Sequence, residues 1–153
     1  MAEAIRVKTE TRYRQLYSDL KNFVLGDSHE LFFICTCLGY KAKKRKLLSG
    51  VKSDRERFWS DTITPKEWAC YKAIILKESN FDLKAIQDDK ATLQIIEEYA
   101  NGGMEILIEE CLKDYVIAKD GALQLDKSSS KELPRHFLYH LFSQIEEKVG
   151  DTE

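Results

Sequence analysis

The apolar residues of this chain fall into five segments with a three-and-four step, which is the period of an amphipathic helix. In the first, Tyr13, Leu16, Tyr17, Leu20, Phe23 and Val24 form one stripe, with Thr9 or Thr11 available as its N-cap. The second, "SHELFFICTCLGY", starts at Ser28 as its N-cap and is apolar almost all round from Leu31 to Leu38. Such a segment reads as a short, buried central helix that Gly39 stops, with a strand as the alternative because Phe, Ile and Thr favour one. The third opens on "TPKE", where Thr64, Pro65 and Glu67 spell a capping box ahead of Trp68, Tyr71, Ile74 and Ile75.

The fourth and fifth segments flank "EEYANGG". Leu93, Ile96 and Ala100 share a face before it, and Met104, Leu107, Ile108, Cys111, Leu112 and Tyr115 make a stripe after it. Asn101, Gly102 and Gly103 interrupt the helical pattern, and the glycines mark either a sharp turn between two helices or a kink within one. "DDK" at Asp88 reads as a helix start, and Asp120-Gly121 as a turn. A last helix begins near Pro134, with Phe137, Leu138, Leu141, Phe142 and Ile145 expected to face inward. The pattern predicts a mainly α, single compact domain of five or six helices over residues 1–153. A minor two-stranded β element is an option, pairing "AIRV" near the N-terminus with "ALQL" at 122–125. Residues 1–8 are a candidate arm, 126–133 a flexible link, and 149–153 a frayed tail.

Composition fits that reading: 153 residues with 43% hydrophobic content suffice for one ordinary core. The net charge is only −2, yet the charges are segregated along the chain. Lys41 to Arg57 holds eight basic residues and two acidic ones, a net +6, whereas Glu78 to Asp114 holds ten acids and three lysines, a net −7. The first residues lack the apolar core of a signal peptide, and no apolar run approaches the ~20 residues of a membrane helix. Four cysteines at 35, 37, 70 and 111 lie in apolar stretches, so free thiols in a reducing cytoplasm are expected.

The basic run is the leading candidate for chemistry. Lys41, Lys43, Lys44, Arg45 and Lys46, extended by Arg55 and Arg57, can neutralise backbone phosphates of duplex DNA, and Tyr40, Phe58 and Trp59 flank the run for stacking. The competing reading is a solvated loop that complements the carbonyl end of a helix. Glu97, Glu98, Glu105 and Glu109 are candidates for docking a protein partner; as ligands of a nuclease metal they lack a paired strand motif with lysine. His136 and His140 stand four apart without a third ligand, and Cys35 and Cys37 point to opposite sides of a helix, so no metal or other cofactor is expected. Phosphate loops, nucleophile elbows and dinucleotide fingerprints are absent from the sequence, which points away from an enzyme.

"FFICTCLGYKAKKR" together with "EEYANGGMEIL" resembles the DNA phosphorothioation-associated protein 4 family over roughly residues 28 to 112. The matching positions are Leu38, Gly39, Lys41, Lys43, Lys44, Arg45, Glu97, Glu98, Tyr99, Asn101, Gly102 and Gly103. The resemblance implies an accessory subunit of a bacterial system that places sulfur in the DNA backbone, or uses that mark in phage defence. It supplies no catalytic residue. Implied partners are DNA, or a larger ATPase (for example SMC-like) or nuclease of the same system, and an oligomer is compatible with it. The helix from Pro134 to Lys148 departs from the family pattern.

Overall fold

The computed structural model describes residues 4–24, 26–48, 58–126, 128 and 130–150. In chain order the elements are β1 (Arg6–Val7), α1 (Arg14–Phe23), α2 (Ser28–Lys41), β2 (Phe58–Trp59), α3 (Pro65–Glu78), α4 (Asp89–Leu107), β3 (Val116–Lys119), β4 (Ala122–Leu125) and α5 (Leu133–Gly150). The fold is mainly α, as the periodicity predicts. A π-helical turn, Ile108–Leu112, extends α4, and no described helix is long and apolar enough to cross a membrane.

The packing of α2 against α4 organises the core. Leu31, Phe32 and Cys35 of α2 and Leu93, Ile96, Met104 and Leu107 of α4 are almost wholly buried. Two expectations about glycine fail here. Helix α2 does not stop at Gly39, and α4 runs unbroken through "NGG". A Cβ on Gly39 would overlap the carbonyl of Tyr99, and one on Gly103 would overlap the carbonyl of Cys35. The glycines are therefore where two helix backbones touch, and the close approach explains them better than a chain break does.

What ends α2 is Lys43. Its φ is +54°, its N–H donates to the Tyr40 carbonyl at 3.0 Å, and the Lys44 N–H donates to the Gly39 carbonyl at 2.8 Å. That bond pair is a Schellman motif with lysine in the position glycine usually fills. At the other end Ser28 is the first helical residue rather than the cap, which is Asp27. Neither Thr9 nor Thr11 caps α1; a 3₁₀ turn, Thr11–Tyr13, leads into it.

Other starts are as expected. Thr64 Oγ1 accepts the Glu67 N–H while Glu67 Oε1 accepts the Thr64 N–H, so the capping box is complete. The same Glu67 carboxylate meets His29 Nδ1 at 2.9 Å, which ties the start of α3 to the start of α2. Asp88 caps α4 through the Lys90 and Ala91 N–H groups.

The expected strand pairing is corrected. "AIRV" pairs with Phe58–Trp59, Arg6 opposite Trp59, whereas "ALQL" pairs with Val116–Lys119 across the Asp120-Gly121 turn. Both turn residues have positive φ, 52° and 78°, which suits a tight hairpin. A hairpin closes its own ladder locally and leaves "AIRV" to a different partner. Buried Asp19 on α1 secures the hairpin by accepting the Leu125 N–H at 3.0 Å.

In α5, Leu133 and Phe137 are buried and Leu141 is half-buried, but Leu138 and Phe142 are exposed, against expectation. The Ile145 side chain lies outside the described residues.

Candidate nucleic-acid interface

After Lys43 the chain crosses α4 as a strap, and the residues of "EEYANGG" hold it there. The Lys46 N–H donates to the Glu98 carbonyl at 3.0 Å. The buried Asn101 amide donates to the carbonyls of Lys46 and Leu47, both at 3.3 Å, and approaches Glu10 Oε1 at 3.4 Å. A side chain on Gly102 would overlap the Lys44 carbonyl, so this glycine is the floor on which the strap rests. Sequence reasoning takes Asn101 for a breaker and misses its role, because an Asn mid-helix whose side chain grips a distant backbone leaves no periodic trace.

Part of the basic run and part of the acidic set come together. Lys44 Nζ and Lys46 Nζ lie 3.1 and 2.7 Å from the two carboxylate oxygens of Glu105. The Arg45 guanidinium sits 3.0 Å from Glu98 and 3.5 Å from Glu78. Glu78 also accepts a hydrogen bond from the Tyr99 hydroxyl, a group whose pKa is pushed up to about 12, first by burial and then by that bond. The hydrogen bond to Glu105 raises the Lys46 pKa, and the Lys46 and Lys44 ammonium groups lower that of Glu105. The Lys44, Arg45 and Lys46 side chains nevertheless remain 36%, 42% and 43% exposed. The outward half of each cation is open while its inward half is held.

The remaining candidates scatter. Lys41 and Lys43 are exposed at the end of α2. Arg55 and Arg57 lie outside the described residues. Glu97 is turned the other way and accepts the Lys8 N–H at 2.6 Å; burial pushes its carboxyl up to about 7. Glu109 is exposed in the π-helical turn, apart from the strap's ion pairs. Among the flanking aromatics, Tyr40 packs edge-on against Tyr99 at 5.6 Å and Phe58 against Phe32 at 5.3 Å, so both face the interior. Trp59 is 42% exposed under the Arg6 guanidinium.

His136 and His140 have separate contacts, His136 with the Tyr115 ring and His140 with Glu110 at 3.6 Å. Cys35 is buried and Cys37 exposed, as opposite sides of a helix require, and all four cysteines are free thiols.

Two features of the strap bear on chemistry. Three cations, Lys44, Arg45 and Lys46, stand beside the carboxylates Glu78, Glu98 and Glu105, with Glu10 also acting on Lys46, and Lys41 and Lys43 add exposed positive charge at the adjoining end of α2. The strap also presents its charge on fixed backbone rather than on a loose loop. Against known proteins, residues 6–136 match the family model described as DNA sulphur modification system-associated protein 4. No curated protein and no solved structure matches the chain.

Proposed function

Because the chain belongs to the family of DNA sulphur modification system-associated protein 4, we propose that it is a non-catalytic accessory subunit of such a system that contacts the DNA backbone. It works in the cytoplasm with no cofactor of its own. The observation that carries this reading is the convergence of Glu98, Asn101 and Gly102 on one task. They hold the strap from Lys44 to Leu47 against α4 with its cations partly exposed, next to Lys41 and Lys43 at the end of α2. Cations already fixed in place lose little freedom when they meet phosphates, and the counterions they displace drive association.

Binding of duplex DNA measured against salt tests the reading. Lys41→Gln with Lys43→Gln is the informative variant, because it leaves the pairs to Glu78, Glu98 and Glu105 intact. Each phosphate that the variant no longer neutralises makes the salt slope shallower by about 0.9. A chain with no salt-dependent DNA binding, or a variant with an unchanged slope, ends the proposal.

One observation favours a second reading. Lys44, Arg45 and Lys46 already have carboxylate partners, so the strap is also suited to a protein surface of mixed charge. In that reading the chain bridges a larger ATPase, such as an SMC-like one, or a nuclease of the system, with Glu98 and Glu105 beside the strap toward the partner. Co-purification with the system's other proteins in the absence of DNA distinguishes it.

A further inference from the structure

The start of α2 gathers donors of a different kind from those of the strap. Asp27, His29 and Glu30 each offer one ligand atom, and the three atoms lie within 4.8 Å of one another. The two carboxylates have a local reason to be there, since acidic groups beside the first turn of a helix meet its free N–H groups. Exposed carboxylates at a helix start mean nothing alone. The histidine between them is what differs.

His29 is held from behind by another helix. Both oxygens of Glu67, in the first turn of α3, face its Nδ1 at 2.9 and 3.1 Å, and the Glu67 side chain is only 10% exposed. A carboxylate only accepts, so Nδ1 carries the proton, and in the neutral ring Nε2 keeps a lone pair. Nε2 stands 3.8 Å from Asp27 Oδ2. A lone pair beside a carboxylate is repulsive until a cation comes between them. A shared proton does not span that gap, which exceeds the reach of a hydrogen bond. An ion does: two donors on a tetrahedral zinc stand roughly 3.4 Å apart, and a small turn of the exposed Asp27 side chain closes the difference. An imidazole pinned at one nitrogen by a buried carboxylate and open at the other is how proteins orient a metal ligand.

We propose that Asp27, His29 and Glu30 bind one divalent transition-metal ion of the zinc kind, with Glu67 as the residue that positions His29. One imidazole with two carboxylates suits such an ion, whereas magnesium and calcium take oxygen ligands. Asp27 and Glu30 are exposed, so water completes the coordination. Through Glu67 the ion ties the start of α2 to the start of α3. The strap follows the other end of α2, roughly 20 Å away, so the ion is a structural clip and takes no part in what the strap binds.

Zinc chloride titrated into the untagged, chelator-stripped full chain is the test, followed by calorimetry and by melting temperature, with magnesium chloride as the control. The wild type is expected to take up one zinc ion and to melt higher with zinc but not with magnesium. In its histidine nitrogen spectrum, the Nε2 resonance of His29 is expected to move on adding zinc. Asp27→Asn with Glu30→Gln is expected to lose the zinc-dependent rise and the Nε2 shift. Its melting temperature without metal should stay near that of the wild type, because both side chains are exposed. Glu67→Gln keeps an acceptor for the Thr64 N–H and is expected to weaken zinc binding by about ten-fold or more. A wild type that binds no zinc, or zinc binding that the Asp27 and Glu30 substitutions leave intact, overturns the site. Zinc affinity unchanged in Glu67→Gln overturns the positioning role.

Discussion

At the scale of single residues, side chains of one type carry different physical roles according to what faces them. Glu98 and Glu105 meet cations at the surface, whereas Glu97, one position from Glu98, is turned towards the Lys8 backbone and partly buried. Burial raises the Glu97 carboxyl to about 7, outweighing the Lys8 N–H bond that favours the ionised form. The unfolded chain releases this proton near the ordinary glutamate value, so between about 4.5 and about 7 the folded state binds more protons than the unfolded one. Stability from this group therefore falls as pH rises through that window, and is level above it. Glu97→Gln keeps an acceptor for the Lys8 N–H and has nothing to ionise. Melting temperatures from pH 4 to pH 8 should show the variant matching the wild type at the acid end and exceeding it at the alkaline end. A difference between the two that does not vary with pH would refute the assignment.

At the scale of elements, helix ends decide where the strap runs. Lys43 stands at φ +54°, where a side chain costs roughly 1 kcal/mol that glycine does not incur. Lys43→Gly is accordingly expected to stabilise the fold by up to about 1 kcal/mol in urea unfolding while removing one strap cation; destabilisation would mean that the Lys43 side chain contributes more than its backbone conformation costs. The same helix end shows why only part of the fold is legible in the sequence. The Thr64 capping box and the Asp88 cap are local devices, complete within four residues, and both can be read directly. Gly39, Gly102 and Gly103 are legible as special positions but not as packing positions. A glycine that permits positive φ and one that admits a neighbouring backbone look alike in sequence, and only the partner helix tells them apart. The β pairing is hidden for a related reason: alternation marks a strand but carries no partner, and the Asp120-Gly121 turn closes a hairpin before any distant pairing is needed.

At the scale of the whole molecule, the opposite charges of two sequence segments meet in one place. The basic run and the glutamates of α4 are far apart in sequence, and each is a candidate interface alone; folded, Glu98 and Glu105 offset Lys44, Arg45 and Lys46. Partly exposed pairs of this kind contribute about 0–1 kcal/mol each to stability, so their removal leaves the fold intact. The strap keeps its backbone bonds to Glu98 and Asn101 in either case. This separation of structure from charge yields a discriminating experiment. Glu98→Gln with Glu105→Gln releases Lys44 and Lys46, and leaves Arg45 only Glu78, without moving the chain that carries them. If the strap binds phosphates, the variant should bind duplex DNA more tightly than the wild type at low salt, with a salt slope steeper by roughly 0.9 for each cation recruited. If the strap instead docks on a protein of mixed charge, the same substitutions remove carboxylates that the partner reads, and co-purification should weaken while DNA binding stays negligible. Opposite signs in the two assays separate the readings, and tighter DNA binding together with an intact protein complex would identify the strap as the nucleic-acid surface.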